Sequence, residues 1–231
     1  MQAAGDAWAK LAMQLKRFLR AVVRRLPLVN KYELRRLDRT FNGREAFRRT
    51  RDVRPRDTRG LTRVHYACGK NFLPGWLNVD SYRLGNTAEA FECINLVSRH
   101  PFLDDSFEFG YAEDFLEHLN QVDSLLFLSE CLRTLKPGGV LRLAFPGLEG
   151  VLRKHYPDPG WETVNIAKEE AYTHFDHLHF YSKDELALVA RHLGFKAVTF
   201  HAFGESRHAP LHAIDHRVGQ KDLNTYAELQ K

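Results

Sequence analysis

From Arg63 onward the chain alternates short apolar runs with stretches of helical periodicity, separated by turn residues. The apolar runs predict strands near residues 63–67, 76–79, 91–95, 107–112, 138–145, 196–203 and 222–229, and three- and four-residue apolar spacing predicts helices near 114–136 and 183–193. Strands that alternate with helices pack as an α/β domain, with a mostly parallel seven-stranded sheet and helices on both faces. No clear crossover helix separates the last two strands, so an antiparallel edge strand is expected. The chain has no internal repeat and no low-complexity segment.

Upstream the texture differs. Trp8, Leu11, Leu15, Phe18, Leu19, Val22 and Leu26 recur at helical spacing, with Lys10, Lys16, Arg17, Arg20, Arg24 and Arg25 mostly off that stripe. This is the pattern of a basic amphipathic helix that ends at Pro27. A second helix fits Tyr32 to Arg49, and Arg51 to Gly60 reads as a linker. Residues 1–60 are therefore expected to be a helical arm and linker, and residues 61–231 the domain. The segment 147–180, long for a strand-to-helix connection and rich in Tyr, His and Trp161, reads as a cap over a substrate.

Charge sharpens this division. The net charge of +5 splits into +11 for residues 1–60 and −6 for residues 61–231. A continuous basic face, which phosphate tracking along nucleic acid requires, is therefore not expected on the domain. The arm suits either peripheral contact with an anionic membrane through residues 8–26 or docking on its own domain. No apolar run approaches the ~20 residues that span a bilayer, and the start of the chain lacks the pattern of a secretory signal. A cytoplasmic protein, peripheral at most to the inner membrane face, is expected. Cys68, Cys93 and Cys131, widely spaced in apolar segments, suit buried thiols in a reducing compartment better than a disulfide framework.

The candidate chemistry starts at YACGKNFLPGWLNVD, residues 66–80. Gly69 permits a sharp turn and a close backbone approach to a ligand after the first strand, and Asp80 ends the second strand, where a carboxylate can accept two ribose hydroxyls. The run INLVSRHPFLDDSFEFGYAEDFLEHL follows, and then LRTLKPGGVLRLAFPGL. In this order the segments resemble the class I S-adenosylmethionine-dependent methyltransferases, which have a Rossmann-like fold. They are most similar to a bacterial subgroup with a short first loop of the form LNLGCGxxxxPGWxNVD, whose members are often linked with polysaccharide or glycolipid assembly. The resemblance covers roughly residues 62–231, including YSKDEL, HLGF, GESRHAPL and LNTYAELQK. It implies S-adenosylmethionine as cofactor, bound by Ala67, Cys68, Gly69 and Glu113, with Asp80 on the ribose and Asn95 near the adenine amine. Two departures stand out. Ala67 replaces the first glycine of the usual Gly-Cys-Gly, and His65 and Tyr66 stand where many relatives carry an acid on the first strand.

Methyl transfer to a hydroxyl needs alignment and a proton acceptor, or a metal, near the end of the fourth strand. Asp114, Glu117 and His118 stand at i, i+3 and i+4, which on a helix share one face. They resemble the Glu-x-x-Glu-His of ubiquinone-pathway O-methyltransferases and small-RNA 2′-O-methyltransferases, in which a divalent ion is completed by a downstream histidine. His177 stands at the matching position before the Ser182–Glu185 capping box. Asp114, Glu117, His118 and His177 are therefore candidate ligands for Mg²⁺ or a transition metal. His118 or His177 acting alone is the candidate general base. The alternative is that Glu117 and His118 only hydrogen-bond the start of a helix. A helix through His208, His212 and His216 is disfavoured by Pro210, so a solvated or substrate-facing segment is expected there.

The expected activity is O-methylation of a sugar, a glycolipid or another small hydroxylated metabolite. A degenerate fold acting as an interaction scaffold and a nucleic-acid methyltransferase are the alternatives.

Overall fold

A computed structural model describes residues 55–82, 89–158 and 160–231; the amphipathic stripe of residues 8–26, the helix expected over 32–49 and the start of the linker lie outside them. Among the described residues no helix is long and apolar enough to cross a membrane.

Seven strands form one sheet: β1 (Arg63–Tyr66), β2 (Leu77–Asp80), β3 (Phe91–Cys93), β4 (Phe107–Glu113), β5 (Leu135–Pro146), β6 (Ala197–His201) and β7 (Asn224–Gln230). Their order is β3-β2-β1-β4-β5-β7-β6. The strands from β3 to β5 are parallel to their neighbours, and β7 runs antiparallel to both β5 and β6. The edge strand β6 is thus antiparallel to its neighbour, as expected, and the reversed strand β7 is inserted one place inside it.

Alternation along each strand sorts residues between two faces. Val64, Tyr66, Leu77, Val79, Leu141, Leu143, Phe145, Ala227 and Leu229 face the larger core. There they meet Phe127, Leu128 and Cys131 of helix α1 (Gln121–Thr134) and Leu186 and Ala190 of helix α4 (Lys183–Leu193). Asn120 caps α1, its side chain accepting from the Asp123 amide at 2.9 Å, and Ser182 caps α4 through the Glu185 amide at 3.1 Å. The intervening positions, His65, Asn78, Tyr111, Arg142 and Glu228, are polar yet buried on the other face. His65 stacks on Tyr111, and Arg142 pairs with Glu228 at 3.2 Å. Leu211, with Phe203 and Ile214 packed alongside it, joins Trp76, Tyr111 and Tyr226 in a second apolar cluster on this face.

Two predicted boundaries move. The helix expected over 114–136 is two elements: a 3-10 turn at Leu116–His118, then α1 starting at Gln121. Asn120 bonds the Asp123 amide in its extended conformation, which stops the two from fusing. The strand expected from 138 begins at Leu135, and its register against β4 jumps from Phe107↔Leu135 to Phe109↔Val140, so Lys136 to Gly139 form a bulge within it. Residues 147–180, for which the sequence offered no internal elements, contain helices α2 (Leu148–His155) and α3 (Trp161–Lys168) and a π-turn (Glu169–Thr173).

Candidate functional site

At the carboxyl end of β1 the chain turns straight into β2 without a helix. Ala67 takes φ 51° and Gly69 φ 53°. The first value is left-handed backbone that costs a non-glycine residue about 1–2 kcal/mol. A side chain at Gly69 would meet none of the described residues within 4 Å, so among them this turn leaves open space in front of the backbone. Asp80, buried at the end of β2, closes the loop: one carboxylate oxygen accepts the Gly69 amide at 2.9 Å and the other the Tyr82 amide at 3.0 Å. The Cys68 amide donates to Val79 O, and burial pushes the thiol up to about 12, which makes it unreactive.

Glu113, the last residue of β4, reaches across to this loop. Its Oε1 accepts Asn71 Nδ2 at 2.8 Å and its Oε2 accepts the Tyr111 hydroxyl at 2.6 Å. Asn95 is not joined to this group. It is exposed two residues beyond β3, and its side chain accepts the Val97 amide of its own turn.

On the other side of the β4 end lies a cavity of about 180 Å³, lined in part by Asp114, Glu117, His118, Pro146 and His177. Glu117 is fully buried, and neither carboxylate oxygen receives a hydrogen bond from a described residue. Burial first, and then Asp114, hold its carboxyl well above the ordinary range. Its backbone carbonyl accepts the Leu178 and His179 amides at 2.7 and 3.2 Å, which draws the end of the 147–180 segment onto the 3-10 turn and places His177 beside it. Nε2 of His118 and Nε2 of His177 each lie 3.8 Å from Glu117 Oε1.

His177 Nδ1 is 2.6 Å from the Ala171 carbonyl, which can only accept. The proton is therefore on Nδ1, and Nε2 carries a lone pair. Burial, reinforced by His118, lowers this imidazole to about 4, so it is neutral at neutral pH. Phe175 stacks on its ring.

The candidate ligand atoms of Glu117, His118 and His177 all lie within 4.8 Å of one another. One carboxylate, without donors among the described residues, and two imidazoles are a donor set that fits a divalent cation.

Asp114 does not join them through the shared helical face that its spacing suggested. No helix runs there: Asp114 has φ 45°, and its Oδ2 is ion-paired with Arg217. The sequence reading missed Arg217 and its partner Asp215, because a contact across 103 positions leaves no local pattern. The other histidines scatter. His179 pairs with Glu185, His208 packs on Phe109, and His212 and His216 are exposed on a segment with no helix.

A family model described as a methyltransferase domain matches residues 67–143, one third of the chain. No curated protein matches the sequence. Among solved structures, a SAM-dependent methyltransferase from Archaeoglobus fulgidus is 15% identical, covers 87% of this chain and all of its own, and superposes with a TM-score of 0.50. An S-adenosylmethionine-dependent methyltransferase from Mesorhizobium loti is 16% identical over 74% of this chain and 91% of its own, with a TM-score of 0.49. Strand order, the domain match from the β1–β2 loop into β5 and the Archaeoglobus superposition agree: the chain has the fold of the S-adenosylmethionine-dependent methyltransferases, and residues 67–143 carry the sequence pattern of their domain.

Proposed function

We propose that the protein transfers the methyl group of S-adenosylmethionine to a hydroxyl of a sugar, a glycolipid or another small hydroxylated metabolite. The observation that carries this reading is the fully buried Glu117 carboxyl, without hydrogen-bond donors among the described residues, at the wall of a small cavity with a neutral imidazole 3.8 Å away. Buried polar atoms are almost always satisfied, so this unmet demand favours a ligand that brings donors. At about 180 Å³ the cavity is smaller than the ~300–1,000 Å³ of drug-sized sites, which favours one small polar group over a flat aromatic body.

In this reading the cofactor occupies the open side of the β1–β2 loop. Asp80 accepts its ribose hydroxyls, Gly69 and the backbone at Ala67 and Cys68 lie along it, and Glu113 borders it. When bound, the cofactor supplies an electrophilic methyl and its own leaving group. The cavity holds the acceptor hydroxyl in line, and as the new C–O bond forms its proton passes to His177 Nε2. The imidazolium charge in turn favours ionisation of the Glu117 carboxyl, whose Oε1 lies 3.8 Å from Nε2. Hydrogen bonding to Ala171 holds His177 in the tautomer that can receive this proton.

The convergence of Glu117, His118 and His177 favours a second arrangement of the same site, in which these three residues would hold a divalent cation that would supply Lewis-acid activation of the acceptor hydroxyl.

Calorimetry of S-adenosylhomocysteine binding to the wild type tests the cofactor assignment. A panel of sugars and glycolipids, assayed for S-adenosylhomocysteine release with and without EDTA, then tests acceptor and metal together. Activity that survives EDTA and is lost in His177→Gln supports the imidazole base. Activity abolished by EDTA and restored by added metal selects the cation. Cofactor binding with no turnover of any hydroxylated acceptor defeats the proposal.

A further inference from the structure

Consecutive residues at the end of β4 face different parts of the site. Glu113 turns toward the β1–β2 loop and holds Asn71, whereas Asp114 lines the cavity. The backbone achieves this divergence by placing Asp114 in left-handed conformation, φ 45°, with its amide bonded to Ala144 O at 2.9 Å. A strained non-glycine residue persists only where its surroundings hold it.

One side chain does so from a distant segment. Arg217 Nη2 lies 3.4 Å from Glu113 Oε2, while its Nη1 bonds Asp114 Oδ2. Asp215, itself buried, fixes the guanidinium from behind: its Oδ1 accepts Arg217 Nε at 3.0 Å and its Oδ2 accepts Nη2 at 2.8 Å. The planar fork of arginine suits this arrangement, because it can donate toward three carboxylates in fixed directions.

We propose that Arg217 is a positioning residue that couples the cofactor end of the site to the acceptor cavity, by holding the diverging carboxylates of Glu113 and Asp114 with one guanidinium. The proposal rests on the functional reading above. When the β1–β2 loop closes on a ligand, Asn71 pulls on Glu113. Arg217 passes that displacement to Asp114, three residues before Glu117. From Asn71 to Asp114 the coupling runs through hydrogen bonds and one ion pair, so substitution can measure it.

The test uses the full chain, with S-adenosylhomocysteine as probe. Calorimetry gives its affinity, and side-chain NMR signals of His118 and His177 report whether binding at the loop reaches the cavity. In Arg217→Gln, affinity is expected to fall about tenfold, and the histidine response at saturation is expected to shrink. Arg217→Lys keeps the charge without the fork and is expected to fall between the two. A role confined to stability would lower Tm and leave the histidine response of the folded protein intact. An unchanged affinity and an unchanged response in folded Arg217→Gln overturn the proposal. Should that variant not fold, Asp215→Asn, which loosens the guanidinium without removing it, is read by the same two measurements. If the wild type itself fails to bind S-adenosylhomocysteine, the functional reading and this inference fall together.

Discussion

The two ends of the site are built in opposite ways. At the β1–β2 end, one contiguous stretch of chain supplies both the turn and its anchor, and both oxygens of Asp80 are satisfied by backbone amides. At the cavity end, Glu117, His177 and Arg217 come from three distant segments, and the Glu117 carboxyl and one oxygen of Asp114 have no donor among the described residues. The first end is a contiguous piece of local structure whose anchoring carboxylate already has its hydrogen-bond partners. The second carries an unmet demand for hydrogen-bond donors, which costs stability in the empty protein and favours whatever ligand meets it. A fold can tolerate such a cost where the rest of its core is well packed, and here Glu117 stands beside the largest apolar cluster, next to the buried Leu116.

This contrast can be broken at either end. The largest expected effect is at the satisfied end. Asp80→Ala removes the acceptor of two backbone amides and, in the proposed complex, of the ribose hydroxyls. S-adenosylhomocysteine affinity should fall by roughly a hundredfold or more, about 3 kcal/mol, as read by calorimetry. Retained affinity would show that the loop binds its ligand through backbone alone.

At the unsatisfied end the sign reverses. Burial raises the folded-state pKa of Glu117 above its unfolded value, so between those two pKa values the folded protein binds more protons than the unfolded chain. Its stability therefore declines as pH rises from the ordinary carboxylate range toward the folded pKa. Glu117→Gln cannot ionise. It should be more stable than the wild type at neutral pH by about 1–2 kcal/mol, a gain of a few degrees in Tm, while losing the proposed transfer. Urea unfolding of both proteins at pH 5 and pH 8 checks this: the gap between them should widen at the higher pH, and a gap independent of pH would contradict the argument.

The smallest effect sharpens the comparison at the first end. Ala67 pays for its left-handed φ of 51°, so Ala67→Gly should stabilise the protein by about 0.5–1 kcal/mol. Cofactor affinity should be unchanged or improved. A destabilised variant would mean that the methyl group of Ala67, which packs against the main core, outweighs the backbone relief.

Much of this molecule is legible residue by residue. The strands announce themselves because alternation along Leu141 to Phe145 and Tyr226 to Leu229 must put apolar residues on one face. The turn at Gly69 and the cap at Ser182 are equally local, since each is a conformational preference acting over two or three residues. The split of the expected 114–136 helix was less legible. Asn120 is an ordinary N-cap, but a capping signal inside a helical pattern gives way to apolar periodicity in any reading of the sequence alone. The helices of the 147–180 segment were hidden because their exposed side chains, including Leu152, Trp161 and Ile166, blur the apolar stripe.

The sequence by itself determined the α/β architecture, the seven strands, the helix-free β1–β2 turn and its acid, because each of these depends on near neighbours along the chain. Only the tertiary structure decided that Glu117 meets His118 and His177 without Asp114, and that Asp114 belongs to Arg217. Those choices depend on which distant side chains share a dielectric and a few ångströms of space. Burial and pairing of charge arise only once the sheet and the 147–180 and 202–217 segments have closed around them.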